Sequence, residues 1–263
     1  MAAKIITVTS GKGGVGKTTL TANLSVALAM RGQRVVAIDA DIGLRNLDVV
    51  MGLENRIVYD LVDVVEGRCR LRQAMVRDKR HSELYLLPAA QTRDKTAVQP
   101  EQMVALCEEL RPDLDFIFVD SPAGIEQGFR NAVAPADEVI IVATPELAAV
   151  RDADRIIGLL EAFEKETIKL VVNRLRPDMV RREDMLTIDD VIDVLAIDLL
   201  GVIPEDEKVI VSTNRGRPLA MDNHAQAGQA FNNIARRLLG EDVPLMSLEK
   251  DNLFRWVKRL LTD

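Results

Sequence analysis

Aromatic side chains make up only 3% of this 263-residue chain, which holds a single tryptophan, so no aromatic cluster can fill its interior. Cysteine is nearly absent as well. Cys69 and Cys107 lie far apart, with neither C-x-x-C spacing nor histidine company, and so support no zinc site or iron–sulfur cluster. The two histidines, His81 and His224, stand in polar contexts and read as surface residues with no assigned role. An excess of positive charge is also missing. Lys and Arg number 34 against 41 Asp and Glu, a net charge of −7, which argues against a protein that coats nucleic acid. Arg174, Arg176, Arg181 and Arg182 read as a solvated loop, and no specific nucleic-acid partner is expected. No apolar run approaches the ~18 residues of a membrane span, and no signal-type block precedes the first strand. The expectation is a protein made and kept in the cytoplasm.

Apolar residues nonetheless reach 48%. They are mostly aliphatic, as suits parallel strands buried between helices. Strand-like runs alternate with helix-period segments from Ile5–Thr9 through a helix at Lys17–Arg31 to Arg34–Asp39. Further strands are expected at Leu84–Pro88, Phe116–Asp120, Val139–Ala143, Lys169–Asn173 and Leu200–Pro204, with helices at Pro100–Leu110, Val150–Glu164, Ile188–Leu195 and Gln226–Leu239. This punctuation predicts a single α/β domain over residues 1–242, a mainly parallel twisted sheet with helices on both faces and ligands at the carboxyl ends of strands. Residues 243–263 read as a linker and a tail with a pattern of its own.

The segment Gly11-Lys12-Gly13-Gly14-Val15-Gly16-Lys17-Thr18-Thr19 falls between the first strand and the first helix. A G-x-x-x-x-G-K-[ST] pattern in that context is a P-loop. Its glycines let consecutive backbone N–H groups turn toward phosphates, Lys17 can reach the β and γ phosphates, and Thr18 can hold Mg²⁺. Lys12 is a second lysine where one suffices, and spacing alone also fits a solvated surface residue.

Two acidic strand ends accompany the loop. Asp39 and Asp41 follow one apolar run, and Asp120 ends another. Carboxylates there can orient an attacking water or hold a metal's water shell, Asp120 through a water on Mg²⁺. Taken alone, an Asp pair after a strand also suits a turn or a helix cap. Asn173 ends a further strand, where a turn residue is common, and Pro204 and Asp206 offer backbone groups nearby.

Gly43-Leu44-Arg45-Asn46-Leu47-Asp48 and Ser121-Pro122-Ala123-Gly124-Ile125-Glu126 are longer than generic nucleotide motifs. Together with the two-lysine loop they resemble the MinD/ParA family, P-loop ATPases with a deviant Walker A motif. The resemblance runs from Lys4 to the C-terminus. It implies that Lys12 reaches across a nucleotide-sandwich homodimer, that Asp41 orients the hydrolytic water, and that Asp39 belongs to the same switch beside the metal. It further implies that Ser121–Glu126 is a second switch and that Asn173 faces adenine. Lys12, Lys17 and Asp41 are thus the candidate catalytic residues, Thr18, Asp39 and Asp120 the candidate Mg²⁺ ligands, and ATP the substrate.

In the tail, Leu253, Phe254, Trp256, Val257, Leu260 and Leu261 fall within ~160° of a helical wheel, opposite Arg255, Lys258 and Arg259. That layout suits a helix lying on an anionic membrane surface, and it also suits docking on the protein's own core. A helix this short binds membranes weakly, so two tails on an ATP-bound dimer would add avidity. The division-site branch of the family implies recruitment of the inhibitor MinC, with MinE stimulating hydrolysis where it occurs, and reversible attachment to the inner face of the cell membrane. Arg151, Asp152, Asp154 and Arg155 are candidates for docking such partners or simply a solvated helix face. A DNA-segregating or flagellum-positioning relative, or a nucleotide-binding scaffold that scarcely hydrolyses ATP, are the competing readings.

Overall fold

The computed structural model describes residues 2–246; the tail pattern at Leu253–Leu261 therefore lies outside the described residues. In chain order the elements are β1 (Lys4–Thr9), α1 (Lys17–Ala29), β2 (Val35–Asp39), α2 (Leu47–Met51), α3 (Leu61–Val65), α4 (Leu71–Ala74), β3 (Val76–Arg77) and β4 (Leu84–Leu87). There follow α5 (Pro100–Leu110), β5 (Phe116–Asp120), α6 (Gln127–Val133), β6 (Glu138–Ala143), α7 (Leu147–Ala162), β7 (Ile168–Leu175), α8 (Pro177–Arg181), α9 (Ile188–Leu195), β8 (Asp198–Pro204), α10 (Lys208–Asn214) and α11 (Gln226–Leu238).

The strands form one sheet in the order β3-β4-β2-β5-β1-β6-β7-β8. Every pairing is parallel except the short β3–β4 contact at the edge. Strand side chains alternate between faces, and the core divides accordingly. Ile6, Val8, Val35, Ala37, Phe116, Phe118, Ile140 and Val142 pack toward α1 and α11. Their neighbours Ile5, Val36, Ile38, Ile117 and Val119 join Leu106 and Cys107 of α5 and Ala132 of α6 on the other face, while Val139 and Ile141 meet α7 and α9. From β1 the chain places β2 and then β4 on one side, returns to insert β5 between β2 and β1, and then adds β6, β7 and β8 outward on the other side. The reversal of direction at β1, flanked by β5 and β6, opens a crevice at the carboxyl ends of these strands.

Helix ends follow local chemistry. Helix α3 is capped by Asp60, whose carboxylate accepts the N–H groups of Val62 and Asp63, and α9 by Thr187 with Asp190 reaching back. Pro100 opens α5 at a position where its missing N–H costs nothing. Helix α1 ends at Ala29, two residues before the expected Arg31, and Gly32 takes a φ of +79° to turn the chain. Helix α7 starts at Leu147 rather than Val150 and stops at Ala162 rather than Glu164. The short helices α2, α3, α4, α6, α8 and α10 and the two-residue β3 are too brief to imprint a period on the sequence. His81 departs from its surface reading: it is half-buried, and its Nε2 is enclosed without a hydrogen-bond partner among the described residues.

At the far end of the sheet, Gly201 on β8 lets α11 approach. A Cβ there would lie 2.4 Å from Ile234 Cγ1. The guanidinium of Arg237 closes this corner, donating to the carbonyls of Leu200 at 3.0 Å, Val243 at 2.8 Å and Pro244 at 2.9 Å. Val243 is buried in consequence.

Candidate nucleotide site

The phosphate loop leaves β1 at Ser10 and enters α1 at Lys17, directly above the crevice. Two close approaches fix its glycines. A Cβ on Gly11 would sit 2.4 Å from the main-chain oxygen of Asp152 on α7, and one on Gly16 would sit 2.3 Å from Asn173 Nδ2. Gly16 also takes φ +106°, a left-handed conformation that side chains resist. Val15 is buried and anchors the loop, whereas Lys12, Gly13 and Gly14 face solvent.

Lys17 is almost wholly enclosed, 8% exposed, with Nζ donating to Ser10 Oγ at 3.1 Å. Burial pulls its ammonium below the ordinary lysine range, and the nearby Asp120 and Asp41 carboxylates oppose that shift. Lys12 differs in kind: it is exposed and makes no ion pair among the described residues.

The two strand-end carboxylates are register partners, Asp39 on β2 beside Asp120 on β5. Residue parity decides where they point. Asp39 shares a face with Val35 and Ala37, and Asp120 shares one with Phe116 and Phe118, so both carboxylates face the start of α1. There the Thr18 hydroxyl hydrogen-bonds Asp120, and Thr21 Oγ1 donates to Asp120 Oδ1 at 3.4 Å. Burial, reinforced by the Asp39 charge, pushes Asp120 up to about 8. Burial likewise lifts Asp39 to about 6, against the pull of three amide donors. Those donors are Asp41 N at 3.0 Å, Asn46 N at 3.1 Å and Leu47 N at 3.1 Å, so Asp39 folds the following loop around itself. Asp41 is half-buried and close enough to act on Lys17, Asp39 and Asp120.

Beyond Asp41 the loop runs through Gly43, whose N–H donates to Ala90 O at 2.8 Å, and through Arg45 at φ +37°. The Arg45 guanidinium pairs with the buried Asp48 carboxylate at 2.9 Å. Leu44 at the loop tip is 63% exposed, and Ile125 in the Ser121–Glu126 segment is 45% exposed. That segment is tied to β1 by Ser121 Oγ, which donates to Thr9 Oγ1 at 2.8 Å.

Beside the loop lies a cleft of about 440 Å³, lined by Gly16, Thr19, Asn173, Pro204, Asp206 and Phe231 among others. Sequence reasoning selected Asn173, Pro204 and Asp206, and the structure gathers all three here. Asn173 is more constrained than a turn residue. Its Nδ2 donates to Val15 O at 2.7 Å and its Oδ1 accepts from Arg174 N at 3.0 Å, in an irregular stretch of β7 where Arg174 has φ +57°. Ser10, Thr9 and Thr21 were not singled out from sequence; a single hydroxyl residue at a strand end or within a helix carries no pattern, although Ser10 immediately precedes the glycine loop.

The donor set fits a nucleotide with Mg²⁺. Two buried carboxylates face one buried ammonium, so the pocket favours added positive charge, and Thr18 stands beside Asp120 where a P-loop metal is held. The loop's amides and Lys17 supply the complementary phosphate contacts.

Comparison with known proteins agrees with this geometry. The model of the CobQ/CobB/MinD/ParA nucleotide binding domain matches residues 6–219. The septum site-determining protein MinD of Bacillus subtilis is 59% identical over 249 residues, covering 94% of this chain and 93% of the relative. Among solved structures, the MinC:MinD cell division protein complex of Aquifex aeolicus superposes with a TM-score of 0.88 at 51% identity, covering 93% of this chain and 99% of that one. The septum site-determining protein MinD complexed with Mg-ADP from Pyrococcus horikoshii gives a TM-score of 0.81 at 32% identity, covering 90% and 96%. With a complete phosphate loop, paired strand-end carboxylates and these relatives, the chain belongs to the CobQ/CobB/MinD/ParA nucleotide-binding family, among its MinD-type P-loop ATPases.

Proposed function

We propose that this ATPase selects the division site, dimerising with ATP, attaching to the inner face of the cell membrane, recruiting a MinC-type inhibitor there, and leaving on hydrolysis. The observation that carries this reading is the exposed second lysine of an otherwise complete phosphate loop. Lys17 already serves the protein's own nucleotide, so Lys12, solvent-facing and without an ion pair among the described residues, is available to a phosphate held by a second copy. The exposed Leu44 and Ile125 stand at the same end of the sheet, where a nucleotide-dependent contact would cover them.

In this cycle Lys17 and the loop amides hold the triphosphate, and Thr18 with Asp120 and Asp39 would hold Mg²⁺, which would supply charge neutralisation at the phosphates. Asp41 orients the attacking water. The tail residues Leu253–Leu261, with Arg255, Lys258 and Arg259 toward the headgroups, supply one weak anchor per subunit, and pairing two anchors multiplies retention by ~10² to 10⁴. The similarity to MinD of the Aquifex aeolicus MinC:MinD complex supports a MinC-type partner, and stimulation by a MinE-type protein is part of the same reading.

Sedimentation with anionic liposomes tests it. The 263-residue chain should pellet with ATP and stay in solution with ADP, and protein lacking residues 247–263 should stay in solution with either. Pelleting indifferent to nucleotide would refute the cycle. Retention on DNA without retention on liposomes would favour a DNA-segregating role instead.

A further inference from the structure

One buried hydroxyl lies between the two lysines of the loop. Ser10, 1% exposed, donates from Oγ to the carbonyl of Lys12 at 2.7 Å and accepts from Lys17 Nζ at 3.1 Å. A serine hydroxyl has one proton and free lone pairs, so the two bonds reinforce each other rather than compete. Lys12 stands at the entrance of a turn. Gly13 and Gly14 follow it, exposed and with Gly14 at φ +78°, and glycine contributes no stiffness of its own. On the other side Gly11 is wedged against the main chain of α7 at Asp152. The direction of the Lys12 side chain, which has no ion pair among the described residues, is therefore set by its peptide.

We propose that Ser10 is a positioning residue that fixes the Lys12 peptide and so aims Lys12 at the phosphates of a second copy of this chain. The proposal rests on the cross-dimer reading of Lys12. Ser10 acts through Lys12 and not on the protein's own nucleotide: once Lys17 engages phosphate, its bond to Ser10 is dispensable, whereas the bond to Lys12 O is still required. Loss of one buried hydrogen bond is worth up to about tenfold per subunit. A symmetric dimer contains two copies, which gives a dimer weaker by up to about 100-fold.

The test measures two quantities with a non-hydrolysable ATP analogue: nucleotide affinity of dilute monomer, and the dimer dissociation constant by analytical ultracentrifugation. Ser10→Ala should bind nucleotide within about threefold of the unmodified chain yet dimerise about 10- to 100-fold more weakly. The Ser10→Ala/Lys12→Ala double variant should dimerise no worse than Lys12→Ala alone, because both changes remove the same contact. Additive losses, or unimpaired dimerisation of Ser10→Ala beside a defective Lys12→Ala, would overturn the role of Ser10. A loss of nucleotide binding in monomeric Ser10→Ala would also overturn it, by assigning Ser10 to the phosphate site itself. Normal dimerisation of Lys12→Ala would instead defeat the cross-dimer reading on which the proposal rests.

Discussion

Asp120 illustrates how a functional side chain is held at the expense of the nucleotide-free fold. Its folded pKa of about 8 stands above the ordinary 3.8 because burial and Asp39 disfavour its charge. A raised carboxylate pKa gives a stabilising contribution that is complete below about 3.8 and is lost as pH rises through about 8. Asp39 adds the same sign over the narrower window from 3.8 to about 6. Nucleotide-free protein should therefore melt at progressively lower temperature as pH rises toward about 8, and Asp120→Asn, with no proton to lose, should flatten that slope. Superimposable melting curves for the two proteins would refute a charge cost at this position. In the proposed cycle Asp41 belongs to the reaction instead. Asp41→Ala should keep nucleotide affinity within severalfold while hydrolysis falls by ~10² or more, as measured by phosphate release; an unchanged rate would remove Asp41 from the mechanism. Asp120 was legible in the sequence because it ends an apolar strand, and Asp41 because it follows one that ends at Asp39. The hydroxyls of Ser10, Thr9 and Thr21 were not, since their importance depends on which strand ends and helix turns become neighbours.

At the scale of elements, the long periodic segments and the central strands are read from sequence within a few residues. The failures have physical causes. Helix α2 is organised from outside its own sequence, by Asp39 accepting the amides of Asn46 and Leu47 at its entrance. Arg174 adopts a left-handed conformation within a strand whose residues predict ordinary extension, and this irregularity brings Asn173 against Val15. The corner at Gly201 is similar, since one residue without a Cβ permits α11 to lie on the edge strand. Gly201→Ala should destabilise the fold by ~1–3 kcal/mol through overpacking against Ile234, read by chemical denaturation. It should leave ATP turnover per folded molecule unchanged, because β8 meets the nucleotide cleft only at its far end, Pro204. A stability loss below ~0.5 kcal/mol would show that α11 shifts to accommodate the methyl group.

For the whole molecule, the sheet order explains why residues scattered from Gly16 to Asp206 form one site: β1 lies between β5 and β6, and the loops leaving these strands meet where direction reverses. Sequence alternation predicts such a sheet but not its strand order, because pairing partners are chosen by long-range packing. The register Asp39↔Asp120 has a further consequence. Side chains change face at every residue, so the site tolerates substitution along β2 far better than a change in strand length. Deleting one residue between Val35 and Asp39 would draw the carboxylate back ~3.3 Å or swing it to the face opposite α1. The spacing of this strand is therefore a length standard for the chemistry above it, and insertions or deletions there should be silent in composition and ruinous in activity.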